Sequence, residues 1–485
     1  MQRRGELILS LFVACALVVA RSYIFWAYEQ AHITSDQAIV GLMAKHIAEG
    51  RAWPLYFYGQ SYLLAVEAWL VAPFLWIGGP TMASLRAGMV AINLATVVLL
   101  VWGLVRWGRL RPLLALVAVL PFAIAPPFTS SLLVEAQGGN VEPLAFVVLF
   151  WWLRARPLAL GLTLGIAVFN REFTIFALPV LVLADVVEHG WPTREFWRRW
   201  LLAGVMFVAV WQATSALKPY ADMMGPGTRG QMLGGSAGSE LKDVTEHMGL
   251  SWREWPSRVV ANATRFFPLL MGAVHVDDVV ASQGRNAMRW PLLLALAAML
   301  ARALWLAVAS RNRDEPVRFA GYLAGVGVSS MLCLALVWGL DVFTLRYMMM
   351  SLLLPVGVVA LVFALEPVVL VRRVVVALVV AWALFASIDN VALMRRYAAG
   401  VPDVYGEVAK GLVARGITVA QAPYWHAYRL TFLSGERVKI ASTDFVRINE
   451  YQGLANAAGD QLITLQEQPC GAAEKLGPLY LCKNK

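Results

Sequence analysis

Long apolar runs broken by short arginine-bearing connections set the rhythm of this chain. The first run, from about Leu7 to Tyr28, has roughly the 20 residues that a bilayer core requires, and Arg3 and Arg4 precede it. It continues through Tyr23, Ile24, Phe25 and Trp26 without a convincing cleavage site, so it reads as an anchor with its N-terminus in the cytoplasm rather than as a signal peptide. Further apolar segments centre near residues 94, 118, 147, 164, 180, 208, 300, 329, 355 and 382, giving about eleven spans in all. An odd count puts the C-terminus on the far side. The connections holding Arg106, Arg109 and Arg111, Arg154 and Arg156, Arg194, Arg198 and Arg199, Arg311 and Arg313, and Arg372 and Arg373 then share one face, the cytoplasmic one.

Two stretches depart from this rhythm. Counting Ser61 to Gly78 as a span would reverse every later loop, so it is expected to lie in, or re-enter, the outer membrane surface. Leu158 to Val187 is too long for one straight span and is interrupted by Asn170, Arg171 and Glu172, which predicts two short spans meeting at the outer face.

Composition agrees with a polytopic membrane protein: 59% of the residues are hydrophobic, 15% are charged, and 19 of 485 are Trp. The net charge of +10 owes much to the cytoplasmic arginines, which set topology and meet anionic lipid, and no nucleic-acid motif accompanies it. There is no Walker loop, no His or Cys spacing of a structural metal site, no heptad pattern and no clear internal repeat. ATP-driven transport is therefore disfavoured.

Three regions of real size face outward, at about 29–81, 218–290 and 395–485. The middle one carries GPGTRGQMLGGSAGSE, which lacks the Lys-Ser and the strand–helix frame of a phosphate loop and reads as a flexible loop. The last alternates an amphipathic run over Val404 to Ala414, an apolar ITVAQ, the aromatic YWHAYRLTFL, RVKIAS and LITL, which predicts a small, outward-facing α/β domain over 395–485 after a membrane domain over 1–394. Its Cys470 and Cys482 can pair in an oxidising compartment, whereas Cys15 and Cys333 sit inside spans.

The candidate chemistry gathers outside. Asp36 is a lone acid just beyond the first span, where a carboxylate is a functional candidate; the lesser alternative is that, as Ser35-Asp36, it caps a helix starting at Gln37. The segments SDQAIVGLMAKHIAEG, PLYFYGQSYLLAVEAWL, GGNVE, NRE and LRYMM together resemble the GT-C glycosyltransferases, in particular the family 39-like group of protein O-mannosyltransferases and lipid A aminoarabinose transferases, over roughly residues 7–390. The tail is similar, through YWHAYRLTFLSGERV, to the small α/β tails of some bacterial members, where it would cover the site, bind acceptor or simply pack.

That resemblance implies the GT-C fold with about eleven spans, a polyprenyl-phosphate sugar donor, a lipid-linked, glycan or protein acceptor, and a bacterial inner membrane. It makes Asp36 the base for the acceptor hydroxyl, with inversion in a single displacement, since phosphate leaves without needing a proton. Where the mannosyltransferases often carry a second acid, this chain has Gln37. A second carboxylate could come from Glu67, Glu142 or, more weakly, Glu135, either orienting the acceptor or joining Asp36 on a possible divalent cation. Arg346 and Tyr347 are expected at the donor phosphate, or else as interface anchors. Arg171 and Glu172, where an isolated charge would cost about 2.5–3.5 kcal/mol at a helix centre, should each find a partner, in donor binding or in structure. Tyr58, Gln60 and Tyr62 could line a sugar site or belong to the aromatic belt, and His32 and His46 flank Asp36. The rival functions are a transporter or lipid-linked glycan flippase, which would place ions at mid-membrane between repeated halves, and an en bloc oligosaccharide transferase.

Overall fold

The structure, a computed structural model, describes residues 2–29, 33–190, 193–231, 250–274, 289–310, 314–470 and 474–483. His32, Arg311, Arg313 and the 232–240 part of the glycine-rich run lie outside the described residues.

Seven helices are long and apolar enough to cross a membrane: Arg3–Ala27, Met82–Arg106, Arg194–Tyr220, Trp290–Ala309, Glu315–Val337, Leu345–Leu365 and Val369–Ala398. Pro112–Ala123 and Pro127–Val134 make an eighth if taken as one span, bent by 86° at their break. Pro126 and Pro127 at that break cannot donate backbone N–H groups, which is why the bend falls there. The remaining three apolar segments are helical as well but shorter, at Glu142–Leu153, Pro157–Asn170 and Leu178–His189. With 12, 14 and 12 residues they fall below the length of a full crossing. The protein is thus a multi-pass membrane protein whose eleven apolar segments are all helical, with seven or eight of spanning length among the described residues.

The interrupted stretch folds as a pair of helices. Pro157–Asn170 ends at Arg171, whose backbone is extended, and a 3₁₀ turn over Glu172–Ala177 leads into Leu178–His189. The stretch left out of the span count holds only the 13-residue helix Val66–Gly78, which turns Trp69, Leu70, Trp76 and Ile77 outward. A helix that is too short to cross and exposes large apolar side chains fits a membrane surface better than a span.

Several arginines of the short connections pair at one end of the bundle. Arg154 meets Glu315 at 3.0 Å and Glu188 at 3.6 Å, and Arg199 meets Asp185 at 3.0 Å. These contacts tie together the ends of four helices, two of them consecutive in the chain and the others well separated from them.

Beyond the last long helix, which runs to Ala398 and so past the expected boundary at 394, Asp403 caps Val404–Ala414 by accepting from the Gly406 N–H at 3.0 Å. A five-stranded sheet follows, from β1 (Val419–Ala422), β2 (Lys439–Ser442), β3 (Ile463–Gln466), β4 (Glu474–Leu476) and β5 (Leu479–Lys483), in the order β2-β1-β3-β5-β4. The β2-β1-β3 part is parallel and the β5 and β4 additions antiparallel. A disulfide joins Cys470 to Cys482, with Cα atoms 5.9 Å apart, while Cys15 and Cys333 are free.

Helix Tyr424–Leu433 carries this sheet onto the bundle by packing on helix Ser35–Ala48. Gly41 permits the approach, because a Cβ there would sit 2.5 Å from the Phe432 ring. Any side chain at 41 would push the two helices apart.

Candidate active site

Asp36 lies in the first turn of Ser35–Ala48, but it does not cap the helix. Thr34 does, with its Oγ1 accepting from the Gln37 N–H, so the capping reading of Asp36 is corrected and its carboxylate is left for other partners. Those partners come from the far end of the chain. Arg346 donates to Asp36 Oδ2 from both terminal nitrogens, at 3.2 and 3.3 Å, and the Tyr424 hydroxyl donates to Oδ1 at 2.5 Å.

Each partner is held in place locally. Arg346 opens a 3₁₀ turn directly after a reciprocal Asp341–Thr344 cap, with N···O distances of 2.8 and 2.7 Å. Tyr424 begins its helix behind Pro423; its backbone N–H donates to Asp444 Oδ1 at 2.7 Å, and its carbonyl accepts from Ser35 Oγ at 2.6 Å. Burial, and then the charge of Asp36, push the Tyr424 phenol upward, which keeps it a proton donor to the carboxylate.

A second acid shares this field. Glu135, buried in the loop after Pro127–Val134, accepts from Gln137 Nε2 at 2.6 Å. Burial pushes its carboxyl up to about 7, with Asp36 adding to the rise and the nearby Arg346 and Arg86 opposing it. The weaker candidate of the sequence reading is thus the carboxyl that feels Asp36 and Arg346 directly.

Glu67 and Glu142 are brought together elsewhere. Glu67 accepts from the N–H groups of Gly138 and Gly139 at 3.0 and 2.6 Å, with the Glu142 carboxyl as its neighbour. Gly138 and Gly139 have φ of 75° and 104°, a backbone that glycine alone adopts easily, and this turns both N–H groups onto one carboxylate. Glu67 therefore braces the GGN loop, and Glu142 accepts from the Val141 N–H at 3.2 Å.

The remaining candidates divide in the same way. Arg171 donates to Gly138 O at 3.3 Å and lies 4.9 Å from the Tyr347 ring centroid, so it spans the braced loop and the Arg346 neighbourhood. Tyr347 also packs on Phe173, with centroids 4.7 Å apart. Half-buried Tyr62 senses the charges of Glu172, Arg447 and Arg171; its phenol is pushed up by burial and then by Glu172. Gln60 is half-buried on the same turn. Tyr58 is fully buried and bonded to His46 Nδ1 at 3.1 Å, which commits it to the docking interface rather than to a ligand.

Tyr424, which meets Asp36, and Glu436, which meets the first outer loop, are the contact residues that reading the sequence missed. Glu436 is buried with φ at 64°, uncommon for a residue with a side chain, and collects Lys45, Arg51 at 2.9 Å, His46 Nε2 at 3.2 Å and the Tyr451 hydroxyl at 2.9 Å. Burial alone would raise its carboxyl, but the contacts with His46 and Lys45 hold it well below the usual carboxylate range. Both residues belong to YWHAYRLTFLSGERV, so the phrase was visible; what it would face was not. Among the described residues no group of three His, Cys, Asp or Glu side chains is arranged to hold a metal ion, and the cation facing Asp36 is Arg346.

No family model matches the chain, and no curated protein matches it. Solved structures do. The crystal structure of ArnT from Cupriavidus metallidurans bound to undecaprenyl phosphate is 12% identical, with 98% of this chain and 97% of that one covered and a TM-score of 0.60. The same protein in its apo state is also 12% identical, covering 100% and 99%, with a TM-score of 0.61. The chain has the GT-C fold. The likeness spans the C-terminal sheet as well as the bundle, so the GT-C resemblance that the sequence carried over 7–390 extends in three dimensions to the whole chain.

Proposed function

We propose that this GT-C protein is an inverting glycosyltransferase that takes a sugar from a polyprenyl-phosphate donor and passes it to a hydroxyl of a lipid, glycan or protein, at the periplasmic side of a bacterial inner membrane. The observation that carries the proposal is the pairing of Asp36 with Arg346 beside the Tyr424 hydroxyl, at the seam between bundle and C-terminal sheet. The donor class is supported by the undecaprenyl phosphate bound in one of the similar structures.

The arrangement suits the reaction. A donor phosphate competes for the Arg346 guanidinium, which can grip it through two parallel hydrogen bonds. As Arg346 turns to the phosphate, Asp36 loses its countercharge and becomes the stronger base, while Tyr424 keeps the carboxylate oriented. The acceptor hydroxyl gives its proton to Asp36 as its oxygen bonds to the anomeric carbon. The bond from that carbon to the phosphate oxygen breaks on the opposite face, and its electron pair leaves on the phosphate, whose added charge Arg346 stabilises. Glu135, neutral below about pH 7, leaves Arg346 free for this exchange.

Transfer from a panel of radiolabelled polyprenyl-phosphate sugars into membrane acceptors tests the reading, with purified wild type set beside Asp36→Asn. Loss of transfer by about 10²–10⁴ in a variant that still unfolds at the wild-type temperature is expected of a missing general base. Equal transfer removes Asp36 as the base, and no transfer from any donor overturns the proposal.

A further inference from the structure

Helix Tyr424–Leu433 has two working faces. Tyr424 reaches Asp36 and Phe432 packs against Gly41 of the bundle, whereas Trp425 and Arg429, four apart, line a cleft of about 570 Å³ formed with the end of β3. Trp425 is 53% exposed although it begins a packed helix. Its ring lies 5.1 Å from that of Tyr424, whose hydroxyl is bonded to Asp36, so Trp425 stands one aromatic ring away from the residue that holds the proposed base.

The lining mixes flat rings with groups that donate and accept. Tyr405 stacks on His426 at 5.9 Å and carries the Arg429 guanidinium 4.0 Å from its ring centroid. Gln466 and the exposed carboxylate of Glu467 form the opposite rim, Glu467 meeting His426 Nε2 at 3.1 Å. With Nε2–H donating there, Nδ1 of a neutral His426 is an acceptor; burial, and then Arg429, hold this imidazole below its ordinary value. His426 Nδ1 and Arg429 Nε, both shielded from water, have no hydrogen-bond partner among the described residues.

We infer that this cleft is a saccharide subsite that holds the acceptor glycan, with a sugar ring stacked on Trp425 and its hydroxyls met by Gln466, Glu467 and Arg429. A saccharide fits because its ring has an apolar face and a rim of hydroxyls that need donors and acceptors within a few ångströms of one another. The inference deepens the transferase reading and rests on it for the word acceptor. It narrows the acceptor to one that carries a sugar.

Saturation-transfer NMR on the full-length protein in detergent provides the test, with glucose, galactose, mannose, N-acetylglucosamine and their disaccharides as probes. At least one sugar should be saturated by wild type and by Asp36→Asn. Trp425→Ala should weaken the signal by about fivefold or more, and Trp425→Tyr should restore part of it. In the transfer assay Trp425→Ala should raise the acceptor KM by about tenfold with kcat kept. Saturation from none of the sugars, or equal saturation by Trp425→Ala, overturns the inference. Saccharide binding without transfer from any donor would instead keep the subsite and sink the transferase reading.

Discussion

Two carboxylate clusters share the loop over 135–141, and they solve opposite problems. Around Asp36 the carboxylate is partly open, and it faces a guanidinium and a phenol that arrive from other parts of the chain. Around Glu67 the carboxylate is 1% exposed, and it spends both oxygens on the backbone N–H groups of two glycines. Backbone partners cannot leave without unfolding the loop, whereas a side-chain cation can turn to a competing anion. An acid is available for chemistry when its counterions are replaceable and belongs to the scaffold when they are main chain.

The sharpest test of that contrast exchanges the two acids in turn. Asp36→Asn should lower transfer by roughly 10³ and leave thermal unfolding in detergent where it was. Glu67→Ala should do the reverse, costing about 3 kcal/mol or more of stability because two buried N–H groups lose their acceptor, with activity falling only in step with the folded fraction. A stable, inactive Glu67→Ala would break the comparison and return Glu67 to catalysis.

Glu135 stands between the two clusters, buried like Glu67 but coupled to Arg346. Its carboxyl is raised to about 7 in the folded protein, above the unfolded value, so its contribution to stability is full below about pH 4.5 and is lost as pH rises through about 7. Stability should fall over that window by an amount on the order of 3 kcal/mol, lowering the unfolding temperature, and Glu135→Gln should flatten the slope. A slope unchanged in the variant would show that another group is responsible.

The smallest expected effect concerns Tyr424. Removing one hydroxyl that only orients the base should cost about 1.4 kcal/mol, so Tyr424→Phe should lower kcat by about tenfold, without a change in unfolding temperature. A loss as large as that of Asp36→Asn would make Tyr424 a participant rather than a positioning residue.

Much of this was legible in the chain. The apolar runs placed every helix of spanning length among the described residues, since a helix that meets lipid must be apolar over most of its length whatever it packs against. The interruption at Asn170 to Glu172 marked a break because polar residues in mid-run are costly there, and Asp36 stood out for the same reason. The roles of Glu67 and Glu142 were not legible, because acids near a membrane mouth look alike until their partners are known. The pairing of Glu67 with Gly138 and Gly139 crosses 71 and 72 residues, and that of Asp36 with Tyr424 crosses 388.

Sequence alone determined the class of the molecule, the placement of its apolar segments, the break in the 158–187 stretch and the candidacy of Asp36 and Arg346, because each follows from local hydropathy or from a charge where charge is expensive. Tertiary structure decided which acid faces a replaceable cation, that Thr34 rather than Asp36 caps the helix, and that the C-terminal sheet locks onto the first loop through Glu436 and hands Tyr424 to Asp36. Apart from the local Thr34 cap, those outcomes depend on contacts between segments hundreds of residues apart, and such contacts leave no periodicity in the chain.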